Sequence, residues 1–194
     1  PPETTRWADE FIATNTLSRR PRPAIHIGSG GTKNLPLRRW PLDHYVALLQ
    51  RLGGDRPQTA VLLFGGPDEE RDHATLTAKA DPRQAFIVRA GNFRQTAALV
   101  GKCDAFLSVD TVLMHLAAAM KVPRQFVIET PTWNRVIEPY GNPFVLINNP
   151  ATAGRNLEYY RYDGEGIKGT PEELIRCMSS VTVDAVYQAM SGTL

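Results

Sequence analysis

The sequence predicts an α/β domain with a Rossmann-like, mainly parallel sheet flanked by helices. Three observations carry this. Short runs such as "PAIHI", "TAVLLF" and "RQFVI" are apolar at successive positions rather than at alternate ones, the pattern of strands buried on both faces. Segments with helical spacing separate these runs. Glycine turns follow the first two runs, at 28–31 and 65–66, where a parallel strand hands the chain to a helix.

Taken in order, "ETTRWADEFIATN" puts Trp7, Phe11 and Ile12 on one helical face, and the polar "LSRRPRP" ends that helix. The expected domain division is therefore a linker helix and hinge over 1–22, followed by a binding domain over 23–194. "PAIHIGSGG" reads as a buried strand entering a glycine loop. "PLDHYVALLQRLGG" reads as an amphipathic helix with Pro41 at its start and Gly53 past its end. The alternation continues with strand "TAVLLFGG", helix "PDEERDHATLTAKA", strand "AFIVRAG", helix "NFRQTAALVGKC", strand "DAFLSVD" and helix "TVLMHLAAAMK". Strands "RQFVIET" and "PFVLINN" follow, and "TPEELIRCM" and "TVDAVYQAM" read as closing helices.

Composition narrows the function classes. In 194 residues, 22 basic and 20 acidic side chains give a formal charge of +2, with no single-sign block of the kind that holds nucleic acid. No nucleic-acid partner is expected. Cys103 and Cys177 are the two cysteines, without the spacing of a zinc site or a disulfide framework, so neither is indicated and a reducing cytoplasm fits. No apolar run approaches the roughly 20 residues that cross a bilayer. A chain that opens Pro1-Pro2-Glu3 is expected to be part of a longer protein.

In a parallel sheet, ligands bind beyond the carboxyl ends of the strands, so four segments are expected to converge there. In "HIGSGG", Gly28, Gly30 and Gly31 allow backbone to approach a phosphate and Ser29 offers a hydroxyl. A strand-to-helix turn alone also explains these glycines. The dinucleotide fingerprint fails because its third glycine falls on Lys33, and no Walker loop occurs. In "TKNLPLRRWP", Lys33, Arg38 and Arg39 place cations where a diphosphate would lie; a solvated basic loop is the plainer alternative. "GGPDEE" offers Asp68 or Glu69 to ribose hydroxyls, and the same carboxylates suit a first helical turn. In "DTVLMHLAAA", Asp110 is expected to cap the helix. Thr111 and His115, four apart, share a face near its start, so His115 either packs or faces an anion held at the helix terminus.

On these residues, in this order, the chain resembles the carboxyl-terminal, nucleotide-sugar-binding half of glycosyltransferase family 9, the bacterial ADP-heptose:lipopolysaccharide heptosyltransferases. The family shows His-Pro-Gly-Ser-Gly, Lys-Arg-Trp-Pro, Gly-Gly-Pro-x-Glu and Asp-Thr-Gly-x-x-His-x-x-Ala-Ala where this chain has "HIGSGG", "RRWP", "GGPDEE" and "DTVLMHLAAA". The resemblance covers about residues 23–190. It implies the second half of a GT-B enzyme, two Rossmann-like domains around a cleft.

It implies further that Gly28, Ser29, Gly30, Thr111 and His115, with Lys33 or Arg38 as the cation, hold the donor's diphosphate, Glu69 the ribose and Asp110 the sugar. The donor, ADP-heptose by this resemblance, is a substrate, and neither cofactor nor metal is implied, since in this fold helix dipoles and basic side chains stabilise the leaving diphosphate. The partners implied are a glycan or lipid-linked acceptor and a missing amino-terminal acceptor domain, which supplies the catalytic base. The implied location is the cytoplasm, peripheral to the inner face of the membrane. Val112 stands in place of the family's glycine and adds bulk where backbone nears the ligand, and Asn134 stands where the family has Asp. Two other classes remain open: a degenerate binding or assembly module whose pocket Val112 closes, and a nicotinamide-dependent oxidoreductase domain, against which Lys33 speaks.

Overall fold

Six parallel strands in the order β3-β2-β1-β4-β5-β6 form the sheet of the computed structural model, which describes residues 2–29, 35–152 and 170–192. The strands are β1 Pro23–His26, β2 Val61–Phe64, β3 Ala85–Ile87, β4 Ala105–Ser108, β5 Gln125–Ile128 and β6 Phe144–Ile147. Helices α1 Pro2–Thr14, α2 Leu42–Asp55, α3 Glu70–Lys79, α4 Phe93–Val100, α5 Val112–Ala119, α6 Pro171–Ser179 and α7 Val183–Ser191 complete the described fold. The α/β prediction and its element order hold.

Both faces of the sheet are covered, which is why its strands are apolar at nearly every position, His26, Ser108 and Gln125 standing at strand ends. Ile25, Leu63 and Leu107 point into one core, with Leu48 and Leu52 of α2, Leu76 of α3, Met178 of α6 and Val186 of α7. Their neighbours Ala24, Leu62 and Phe106 point into the other, with Ala8 of α1, Leu99 of α4 and Ala117 of α5. The helix read as a linker thus packs on this second layer, and Leu17 just beyond it is fully buried there.

Local chemistry sets the helix starts. The side chains of Asn92, Thr170 and Thr182 each accept an amide hydrogen in the first turn of α4, α6 and α7, and Glu173 returns a bond to the Thr170 amide at 2.8 Å. Helix α2 departs from expectation. It continues through Gly53 to Asp55, so that glycine is not a stop signal. A β-carbon on Gly53 would lie 2.6 Å from Oε1 of the buried Gln84; glycine is there to let the segment before β3 come close.

The strand order positions the site. Chain connections run one way from β1 through β2 to β3 and the other way from β4 through β5 to β6, so the loops after β1 and β4 diverge and open a crevice between them.

Candidate functional site

A cleft of about 660 Å³ lies at that crevice, lined among others by His26, Ser29, Arg38, Glu69, Asp110, Thr111, Val112 and His115. Four segments far apart in sequence therefore converge as expected. A second hollow of about 240 Å³ adjoins it, sharing Gly65, Gly66 and Thr96 and extending along Ile87, Val88 and Arg89 at the end of β3. Gly30 and Lys33 lie outside the described residues.

Thr111, not Asp110, caps α5: its Oγ1 accepts the Met114 amide at 3.2 Å. The reason is one of reach, since the Asp110 carboxylate is taken by Arg38, whose Nη2 donates to Oδ2 at 2.5 Å. Both side chains are largely withdrawn from water, 10% exposed for Arg38 and 17% for Asp110. The same Nη2 reaches the Thr130 hydroxyl beyond β5 at 3.4 Å. The Arg38 Nε is buried and has no partner.

A second pair lies one residue along. Arg39 donates from Nη2 to Glu69 Oε1 at 2.7 Å, and the Gly66 amide donates to Glu69 Oε2 at 2.8 Å. Arg39 also lies 3.6 Å from Asp72. Arg39 is thereby turned from the open cleft toward α3, a correction to its placement over a diphosphate. Asp68 is exposed and Glu69 buried, so of the two carboxylates weighed for a ribose, Glu69 is the one held in a fixed position.

Gly28 explains itself against this pair. A β-carbon there would fall 2.7 Å from Glu69 Oε1 and 2.8 Å from His26 Nε2. Close packing of side chains requires glycine here.

His26 is the residue that sequence reasoning passed over. Its Nδ1 lies 3.2 Å from Thr111 Oγ1, tying the end of β1 to the start of α5 across the crevice. Burial pushes its pKa down to about 3, helped by His73 and Arg39, so the ring is neutral at ordinary pH. The signal was available: a histidine closing an apolar strand must end in the crevice. His73 on α3 is also buried and its pKa is lowered, first by desolvation. His115 differs from both in burial. It is exposed on the cleft wall, so its packing alternative falls.

Val112 is 70% exposed at the first position of α5, its side chain standing out along the cleft, and Phe93 at the start of α4 is 55% exposed on the same cleft. Asn134, at the position noted for the family's Asp, accepts the Val136 amide at 2.9 Å and caps a 3-10 turn, Arg135–Ile137. Among the described residues no cluster of three or more His, Cys, Asp and Glu is arranged to hold a metal ion. No helix among them is long and apolar enough to cross a membrane.

The strand order, with a cleft at its topological switch point, defines a Rossmann-like α/β domain. The comparisons carry this to a family: the model for "Glycosyltransferase family 9 (heptosyltransferase)" matches residues 4–159, and the chain belongs to that family. Lipopolysaccharide heptosyltransferase 2 of Salmonella typhimurium is 34% identical over 106 residues, covering 53% of this chain and 30% of that protein. Lipooligosaccharide heptosyltransferase 2 of Haemophilus ducreyi is 27% identical over 194 residues, 97% of this chain and 51% of that one. The solved structure of E. coli ADP-heptose lps heptosyltransferase II superposes with a TM-score of 0.71 at 20% identity, covering 97% of this chain and 51% of that one. The chain spans about half the length of the relatives it matches from end to end.

Proposed function

We propose that this chain is the donor-binding domain of a heptosyltransferase, acting with a separate acceptor-binding domain to move heptose from a nucleotide diphosphate to a lipopolysaccharide-type glycan at the cytoplasmic face of the membrane. One observation carries the reading: the cleft at the switch point brings Ser29, Arg38, Thr111 and His115, with Gly28 packed behind Glu69 and His26, onto one wall system at a helix N-terminus. Such a terminus attracts anions through its free amide hydrogens and dipole. The similar E. coli structure is that of an ADP-heptose enzyme, which makes ADP the nucleotide of choice. Gly30 and Lys33 are assigned to the same diphosphate by sequence.

The chemistry that falls to these residues is electrostatic. As the bond from the anomeric carbon to the diphosphate breaks, negative charge grows on the leaving phosphate, and the α5 terminus, Arg38 and His115 stand where they stabilise it. Glu69, fixed by Arg39 and the Gly66 amide, presents its carboxylate to the ribose. The adjoining hollow along Ile87 and Val88 offers apolar walls to a base. Deprotonation of the acceptor hydroxyl is assigned to the other domain.

Calorimetric titration with ADP, UDP, GDP and NAD tests the reading, with the Thr111→Ala, His115→Ala double variant alongside, checked for folding by circular dichroism. Binding that favours ADP and weakens at least tenfold in the variant is expected. Preference for NAD would transfer the chain to the oxidoreductase class, and absence of any nucleotide binding would leave it a degenerate module.

A further inference from the structure

The Arg38–Asp110 pair is unusual for a phosphate site, because the cation expected to meet the ligand already holds an anion. Three facts bear on why. The carboxylate is not needed by the helix, since Thr111 caps α5. The pair is largely out of water, with side chains 10% and 17% exposed, so its charges are weakly screened. Among the described residues the guanidinium is nevertheless incompletely satisfied: its two bonds there both use Nη2, that to Thr130 is long at 3.4 Å, and Nε is buried without a partner. An arginine more than nine-tenths buried on a cleft wall with an orphan donor is poised for a further acceptor.

We propose that Asp110 is a built-in counter-ion that occupies Arg38 until a ligand phosphate displaces it, and that this exchange selects sugar-bearing nucleotides over bare diphosphates. The inference rests on the donor-site reading above. When a phosphate oxygen takes over Arg38, the Asp110 carboxylate is left beside it with no cation and two acceptor oxygens to fill. A sugar carried on the diphosphate supplies hydroxyl donors for those oxygens. Inorganic diphosphate and a nucleotide without its sugar supply none, and their negative charge faces the unpaired carboxylate. Selectivity thus comes from a repulsive element as much as from an attractive one. The same element weakens the hold on the nucleotide once its sugar has gone, which favours product release.

The 194-residue chain is titrated by calorimetry, in EDTA, with inorganic diphosphate, ADP and ADP-heptose, as wild type and as Asp110→Asn, which keeps the side-chain shape and a carbonyl acceptor for Arg38 while removing the charge. The variant is expected to bind inorganic diphosphate and ADP about tenfold more tightly, a usual size for coupled sites, and to lose the preference for ADP-heptose over ADP by a similar factor. Should the amide variant fail to fold, Asp110→Ser poses the same question. Diphosphate affinity unchanged or weakened by the substitution overturns the proposal, as does diphosphate binding that is undetectable in both proteins. Diphosphate tightening without any advantage for ADP over diphosphate supports the counter-ion and sinks the nucleotide reading. Selective ADP binding that the substitution does not tighten sinks the counter-ion alone.

Discussion

Replacing Gly28 by alanine isolates the packing that holds the site together. The added β-carbon would lie 2.7 Å from Glu69 Oε1, 2.8 Å from Glu69 Cδ and 2.8 Å from His26 Nε2. Carbon and oxygen rest comfortably at about 3.5 Å or more, so at least one neighbour must retreat by several tenths of an ångström. Neither is free to do so. Glu69 is clamped by Arg39 and the Gly66 amide, and His26 is tied to Thr111. Overpacking of this kind costs about 1–3 kcal/mol. In a chain of this size 1 kcal/mol moves Tm by about 2–4 °C, so Gly28→Ala should melt about 2–12 °C lower. Gly54→Ala is the control, because nothing lies within 4 Å of its β-carbon near the end of α2; alanine there should match or raise the wild-type Tm. Melting curves by circular dichroism decide it. A Gly28→Ala protein melting within 1 °C of wild type would show that the clamp is slack, and the account of why glycine stands here would be wrong.

Arg39→Met strands the Glu69 carboxylate, only 7% exposed, without its cation, and should cost about 3 kcal/mol, or about 6–12 °C in Tm; adding Glu69→Gln should recover more than half, and no recovery in chemical denaturation would deny the pairing. For His26, the folded pKa of about 3 lies below the unfolded 6.5. The unfolded chain therefore takes up the proton first, and the stability tied to neutral His26 is full above about pH 6.5 and is lost as pH falls toward 3. His26→Asn should flatten the fall of Tm between pH 7 and 4, His73 and the arginine-paired Glu70 and Asp81 adding slope of the same sign; parallel curves would place the titration elsewhere. Thr111→Val removes the α5 cap, an expected loss of about 0.5–2 kcal/mol, and hydrogen exchange at the Met114 amide should quicken accordingly.

The sheet was legible because burial on both faces leaves continuous apolar strands, and its helices because of their spacing. Their ends were less so. Gly53 reads as a stop on local grounds, and only the position of Gln84, 31 residues on, shows why it lies inside α2. The convergence of Gly28, Arg38, Glu69 and Asp110 was legible from a topological rule, since strand ends meet at one edge. Who bonds to whom was not. Asp110 before a helix has the right chemistry for a cap, and what removes it from that duty is a guanidinium 72 residues away in sequence. The tie from His26 to Thr111, across 85 residues, was hidden for the same reason.

Arg38 and Arg39 show how far neighbours in sequence can part in role. Arg38 ends the 3-10 turn Leu35–Arg38 and Arg39 joins it to Trp40, which is fixed by its Nε1 donating to the Val181 carbonyl at 2.8 Å and by an edge-on contact with Tyr45. With that anchor set, successive side chains cannot take the same direction. One guanidinium goes to β4 and β5, where it meets Asp110 and Thr130, and the other to α3, where it meets Glu69 and Asp72. The two pairs then differ in what a ligand can do to them. Glu69 has both oxygens engaged, by Arg39 and by the Gly66 amide, so that pair acts as framework. Arg38 retains an orphan donor, and its acid is dispensable to the helix. Exchange is therefore cheap at Arg38 and costly at Arg39, and the two arginines should answer substitution differently: Arg39 in melting temperature, Arg38 in phosphate affinity.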